Sequence, residues 1–276
     1  MLGQRILTAL VLLAAIGGAL AWSPAAFDGI AALAIAIAMW EWLRLAGWPS
    51  GVAGGIAAGV TGGLLALQLS GWLVGGTFLL GLSALATAVW LLITAVVVRS
   101  RNTGFAVGRS LASLLALTLL PAAWFAVLHF YAGGVLLMVS VLAIVWIADV
   151  AAYFSGRAFG KTKLAPAISP GKTWAGVVGA VAAVLLVALA LAGFAPQLDL
   201  FSSRLIAAAG APLALALLAL VVLVSVAGDL FESQLKRNAG MKDSSHLLPG
   251  HGGVYDRIDA LLPVLPAAVL LEALFR

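Results

Sequence analysis

Residues 205–237 read "LIAAAGAPLALALLALVVLVSVAGDLFESQLKR". From 205 to 230 the run carries a single charged residue, Asp229. It is long enough to cross a bilayer core, which takes about 20 apolar residues in a helix. Asp229, Glu232, Ser233, Lys236 and Arg237 then follow at i, i+3, i+4, i+7 and i+8. A helix that continues past the apolar part carries them as one polar stripe, with Leu230, Phe231 and Leu235 pointing elsewhere. A helix end with i,i+4 pairing explains Lys236 and Arg237. It does not explain Asp229, which still belongs to the membrane-embedded part.

The same apolar pattern recurs along the chain. Runs near 6–22, 29–46, 52–70, 74–98, 111–131, 133–155, 174–194 and 258–275 join 205–230 to make nine candidate spans. Of the 276 residues, 64% are hydrophobic and 9% charged. A soluble domain carries about 25% charged residues. The mean hydropathy is +1.17. These values exclude a water-soluble surface and predict an all-α, polytopic membrane bundle of about nine transmembrane helices. No linker divides it, so residues 1–276 form one domain. There is no cysteine, so disulfides and thiolate metal sites are excluded. The net charge of +5 fits topology-setting loops and contacts to anionic lipid or phosphate. No long basic face is present to follow a nucleic acid.

Arg5 before an apolar stretch ending in Ala19-Leu20-Ala21 also fits a secretory signal pattern. Eight further spans make a retained first helix the more natural expectation. With the N-terminus inside, Arg5, Arg44, Arg99, Arg101, Arg109 and the loops 156–173 and 231–257 are all cytoplasmic, and only Arg204 and Arg276 fall outside. The chain is thus expected to be multi-pass in the cell (inner) membrane, with both polar loops at its cytoplasmic face. The small residues of "GVAGGIAAGVTGG", 51–63, are expected to serve helix packing. Glu41 and His129 are expected to hydrogen-bond to neighbouring helices.

Two regions hold most of the remaining charge. In the first, Asp149 lies late in an apolar run, where a carboxylate is costly unless it is paired, faces a wet cavity or binds a cation. Tyr153 and Arg157 follow at four-residue steps on one face. The bland alternative is an internal Asp149–Arg157 network that positions helices. The next loop offers Lys161, Lys163, Ser169, Lys172 and Thr173. Ser169-Pro170-Gly171-Lys172-Thr173 reads as a turn opening directly into a helix, where backbone N–H groups and a lysine suit phosphate. It is not a Walker loop, since no glycine stands five residues before Gly171.

The second region runs through "KRNAGMKDSSHLLPGHGGVYDRID", 236–259. Lys242, Asp243, His246 and His251 precede Asp256, Arg257 and Asp259. Glycines around His251 permit close backbone approach to a ligand. Asp256 and Asp259 lie at i, i+3, and Asp229 adds a third hard oxygen donor. Such a set suits Mg²⁺, which favours carboxylates, phosphate and water. Zinc on the two histidines lacks a third good ligand. Carboxylates for Mg²⁺ together with lysine and arginine for phosphate are the inventory of phosphoryl or nucleotidyl transfer.

"SQLKRNAGMKDSSHLLPGHGGVYDRID" resembles the signature of the phosphatidate cytidylyltransferase, or CDP-diacylglycerol synthase, family. The family pattern of Ser, Lys-Arg, Lys-Asp, Pro-x-His-Gly-Gly, Asp-Arg and a final Asp is filled throughout, with the family's spacing. "ADVAAYFSGRAFGKTKLAPAISPGKTW" and "WEWLRLAGW" are similar to two further family segments. Ala175 stands where members often carry Glu or Gln, and Ala260 where they often carry Ser. The resemblance implies transfer of the cytidylyl group of CTP to phosphatidic acid, giving CDP-diacylglycerol and pyrophosphate. It implies a homodimeric helical bundle with a polar cavity open to cytoplasm and bilayer, and Mg²⁺ on Asp229 and Asp256, with Asp259 beside them and room for a second cation. On this reading Lys172, Asp229 and Asp256 carry catalysis. Asp149, Lys163, Ser169, Thr173, Lys236, Arg237, Lys242, Asp243, His251 and Arg257 contact substrate, and Gly252 and Gly253 let main chain meet the nucleotide. Competing readings are an ion-coupled secondary transporter, whose cue would be inverted repeats, and another lipid-head-group phosphotransferase, whose Asp-Gly-x-x-Ala-Arg pattern is absent.

Overall fold

Ser23 begins the second helix by accepting a hydrogen bond from the Ala26 N–H at 3.1 Å, with Pro24 in the first turn. The computed structural model describes residues 2–70 and 76–275. Arg276 and residues 74 and 75, the start of the expected fourth run, lie outside the described residues. The chain forms α1 (Leu2–Trp22), α2 (Pro24–Leu45), α3 (Ser50–Leu69), α4 (Gly76–Arg99), α5 (Arg109–Ala132) and α6 (Val135–Phe159). A hairpin of β1 (Lys163–Ala165) and β2 (Ser169–Thr173) follows. Then come α7 (Trp174–Phe194), α8 (Phe201–Ala209), α9 (Ala211–Asn238), α10 (Tyr255–Ile258) and α11 (Leu261–Leu274).

The protein is an all-α polytopic membrane bundle. Among the described residues seven helices, α2 to α7 and α9, are long and apolar enough to cross a membrane. The other two expected runs form shorter apolar helices, Ile6–Trp22 and Leu261–Leu274. Large apolar side chains such as Leu92, Val178 and Leu186 are exposed on the outside of the bundle, as lipid contact requires. Inside, Trp42, Trp90, Trp124, Phe130 and Phe231 are fully buried. α11 packs against α4, α5 and α9, while α6 and α7 form the most extensive helix pair. That pair depends on small residues. A side chain at Gly176 would meet the Ala152 carbonyl oxygen at 3.1 Å, and one at Gly179 would run into Ser155.

Three expectations change. The apolar run 205–230 divides at Gly210, whose φ of +78° breaks the helix, and α9 then runs on to Asn238. Residues 169–173 are strand β2 rather than a glycine turn, with Lys163 opposite Thr173 and Ala165 opposite Ser169. Pro170 favours this outcome, because it biases the residue before it to extended backbone. In α3 the bundle-facing stripe is Ala53, Ala57 and Thr61. A side chain at Gly51, Gly55, Gly59, Gly62 or Gly63 would meet nothing within 4 Å, and nothing in the structure explains those glycines.

Candidate active site

Thr173 ends β2 and caps α7, its hydroxyl accepting the Gly176 N–H at 3.1 Å. The cap fixes its neighbour Lys172, whose Nζ reaches Asp229 Oδ2 at 2.7 Å. Both line a cavity of about 550 Å³ between α6, α7 and α9. Asp149, Tyr153, Arg157, Lys172 and Asp229 give it polar groups, and Ala148, Val177, Ala180 and Val226 give it an apolar wall. Arg157 donates to the Tyr153 hydroxyl at 3.1 Å rather than to Asp149. The charges of Asp229, Lys172 and Arg257 all act on Asp149.

Behind Asp229 the acids crowd together. Carboxylate oxygens of Asp229, Glu232 and Asp259 lie within 4.8 Å of one another. Asp229 and Glu232 share a face of α9 at i, i+3, and Asp259 enters from the junction of α10 and α11. Gly228 makes this approach possible: a Cβ there would stand 2.7 Å from the Asp259 carbonyl oxygen and 2.8 Å from Pro263 Cγ. Burial, and after it the charge of Asp229, pushes the Asp259 carboxyl well above the usual range. Glu232 is 1% exposed, and its Oε1 has no hydrogen-bond partner among the described residues. A buried, orphaned carboxylate oxygen beside two more acids is the donor set a hard cation takes.

The remaining acid, Asp256, faces the protein. Lys236 Nζ bridges Glu232 Oε2 and Asp256 Oδ1, both at 2.7 Å. Asp256 Oδ2 accepts the Ser244 N–H and hydroxyl, each at 2.9 Å, and the Gly253 N–H at 2.7 Å. Burial alone would raise the Asp256 carboxyl, but its contacts with Glu232, Lys236 and Gly253 outweigh burial and hold it well below the usual range.

The expected residues therefore divide. Asp149, Lys172 and Asp229 meet in the cavity, with Asp259, Lys236 and Asp256 behind them. Thr173 is a helix cap. Lys163 is exposed on β1, and Ser169 pairs with Ala165. Arg237 and Lys242 are exposed, and Arg237 Nε points at the Ile168 carbonyl at 3.5 Å. Arg257 is exposed on α10, and Asp243 is half-buried near Gly252. The His251 backbone N–H donates to the Leu248 carbonyl, while its Nδ1 is buried without a partner among the described residues. Gly252 has φ +82°, and a Cβ there would sit 2.6 Å from Asp256 Oδ2; one at Gly253 would collide with Ser244 and Glu41. These glycines make room for protein side chains. Glu232, which the structure brings beside Asp229 and Asp259, was not among the expected site residues. Its position three residues after Asp229 was the available signal.

The model of the cytidylyltransferase family matches residues 3–275. A phosphatidate cytidylyltransferase of Pseudomonas aeruginosa is 42% identical over 99% of this chain and 98% of its own length. One from Haemophilus influenzae is 48% identical over 48% of this chain and 44% of its own. One from Brucella suis is 46% identical over 51% of this chain and 48% of its own.

Proposed function

The chain belongs to the cytidylyltransferase family, and from that premise and the site geometry we infer how it acts. It is an enzyme that transfers the cytidylyl group of CTP to phosphatidic acid, giving CDP-diacylglycerol and pyrophosphate for phospholipid synthesis. The observation that carries the mechanism is Lys172 on Asp229, in a cavity with one apolar wall, with the carboxylates of Glu232 and Asp259 crowded behind Asp229. That combination seats a phosphate head group and a hydrocarbon tail together. Family membership sets the transporter and phosphotransferase alternatives aside.

A phosphatidate oxygen attacks the α-phosphorus of CTP, and the bond from that phosphorus to the β-phosphate oxygen breaks. The nucleophile is already anionic, so no strong base is required, and the main obstacle is repulsion between two anions. Asp229, Glu232 and Asp259 are the residues that would hold a Mg²⁺ ion. When bound, it supplies positive charge against that repulsion. Lys172 sits at the cavity wall, where its ammonium orients a phosphate and stabilises charge on the equatorial oxygens. Arg157 lines the same space, and the charge of Arg257 acts on Asp149 within it. Lys236 is occupied by Glu232 and Asp256, so its task is to hold those acids in place.

The reading places this site at the cytoplasmic face of the inner membrane. Its support is the Lys/Arg asymmetry and the convergence of the basic loops. Arg109 lies over Trp48, Arg101 over Trp174, and Thr8 of α1 donates to the Pro249 carbonyl at 2.9 Å. A homodimer completes the reading on the resemblance alone. The test is purified protein with CTP, phosphatidate and Mg²⁺, following pyrophosphate and CDP-diacylglycerol. Formation of both in equal amounts, lost on chelation, supports it. No turnover by folded protein overturns it.

A further inference from the structure

Glu41 lies in α2, far in sequence from the site, and is completely buried. Its carboxylate faces no lysine or arginine among the described residues. Instead, its oxygens collect three donors and share a fourth with Asp256, all from residues 244–255. Oε1 accepts the Ser245 hydroxyl and the Val254 N–H at 3.1 Å. Oε2 accepts the Tyr255 N–H at 2.6 Å and lies 3.2 Å from the Ser244 hydroxyl, whose single proton it shares with Asp256 Oδ2. Val254 and Tyr255 open α10, whose first N–H groups have no partner within the helix. The next residue of α2 secures the same loop by a different force: Trp42 stacks on Tyr255 with ring centroids 4.9 Å apart, and both rings are fully buried.

We propose that Glu41 is a positioning residue for the reaction: it sets the conformation of loop 244–255, and through that loop the placement of the carboxylates at the site. The proposal rests on the function inferred above. The connection is continuous. The Ser244 hydroxyl stands between Glu41 and Asp256 Oδ2, Asp256 Oδ1 takes Lys236, and Lys236 takes Glu232 of the acid cluster. Gly253 has no side chain because Glu41 and Ser244 occupy the space. A buried carboxylate in a membrane bundle is costly and is retained here by three hydrogen bonds and a share in a fourth. A core acid that served only to join the long helices would bond to one of them. All four donors here belong to the segment that ends in Asp256 and Asp259.

The experiment uses the full chain in detergent. Glu41→Gln keeps the shape but turns an NH₂ group toward backbone N–H groups. Its turnover is expected to fall at least tenfold, with the KM for phosphatidate within twofold of wild type and thermal unfolding still cooperative. Hydrogen exchange at residues 244–255 is expected to rise selectively, with α5 and α6 unchanged. Glu41→Asp keeps the charge and is expected to recover part of the turnover. If Glu41→Gln does not fold, Ser245→Ala removes one of these bonds, and turnover falls about two- to fivefold with the same exchange pattern. Wild-type turnover in folded Glu41→Gln, or in Ser245→Ala when that variant stands in, overturns the proposal, as does exchange that rises across the whole bundle. The exchange readout needs no substrate. An inactive wild type with a selectively loosened loop in Glu41→Gln would therefore fault the assigned reaction and not the role of Glu41.

Discussion

At the end of the bundle bearing α8, Arg204 grips both oxygens of Asp199 through Nε and Nη2, at 2.6 and 2.7 Å. Its Nη1 reaches Glu272 Oε1 at 2.6 Å, and His129 Nε2 lies 2.7 Å from the other oxygen of Glu272. At the opposite end Asp229, Glu232, Asp256 and Asp259 share two lysines, Lys172 and Lys236. The first group is a closed network that ties α5, α8 and α11 together. The second carries more acid than base and leaves Glu232 Oε1 without a donor among the described residues. Closed charge stabilises a fold, and open charge waits for a ligand. The two ends can be separated by mutation, one changing turnover and the other changing stability.

The largest effect belongs to the open end. Asp229→Asn removes one of the three crowded carboxylates and the partner of Lys172. It is expected to lower turnover on the order of a thousandfold, as loss of a key electrostatic contact does, while unfolding remains cooperative. Pyrophosphate release by purified protein measures it, and turnover within tenfold of wild type would dissolve the contrast between the ends. Lys172→Ala is next, with a loss of roughly a hundredfold. Lys172→Arg is expected to recover only part, since a planar fork does not replace a compact ammonium. If Lys172→Ala leaves turnover and both Michaelis constants within about twofold, well under 1 kcal/mol, the lysine serves topology alone.

The closed end responds in the other coordinate. Arg204→Ala deprives Glu272, 8% exposed at its side chain, of a charged donor. The expected cost is about 1–3 kcal/mol of stability, the usual consequence of stripping a partner from a buried acceptor. Turnover is expected to stay within twofold of wild type. A thermal melt and an assay on the same preparation test both halves, and a large loss of turnover without a change in melting would break the division.

The sequence showed the open end better than the closed one. Asp229, Lys172, Asp256 and Asp259 stand out because charge is rare in this chain and because their motifs are dense. The apolar runs marked the helices for the same reason. What spacing does not contain is which partner a side chain chooses. Asp256 and Asp259 look alike in sequence at i, i+3, yet Asp256 turns to Lys236 and the Ser244 loop, while Asp259 turns to Asp229. Glu232 was visible on the stripe, but its orphaned oxygen is a property of the packed interior. The hairpin escaped because its strands are short and lack apolar alternation. The Asp199–Arg204 stretch, Glu272 and His129 come from three separate segments, so only the tertiary fold reveals them as a network.

The smallest effect sharpens the closed end by pH. Asp199 lies in the loop after α7, and its hydrogen bond with Arg204 holds its carboxyl below the ordinary value against a small opposing effect of burial. In the unfolded chain the group titrates near pH 3.9. A carboxyl depressed in the folded state adds stability above the unfolded value and loses it as pH falls through the folded one. The residue is well exposed, so solvent limits the contribution to no more than about 1 kcal/mol. Asp199→Asn should therefore melt slightly below wild type at neutral pH. The gap should hold down to about pH 5, narrow as pH drops through the carboxylate range, and vanish once Asp199 is protonated in both states. Comparing the two proteins at each pH cancels the titration of the site acids, which both share. A gap that stays constant from pH 6 to pH 3 would mean that the Asp199–Arg204 pair contributes shape and not charge, and that the closed network begins at Glu272.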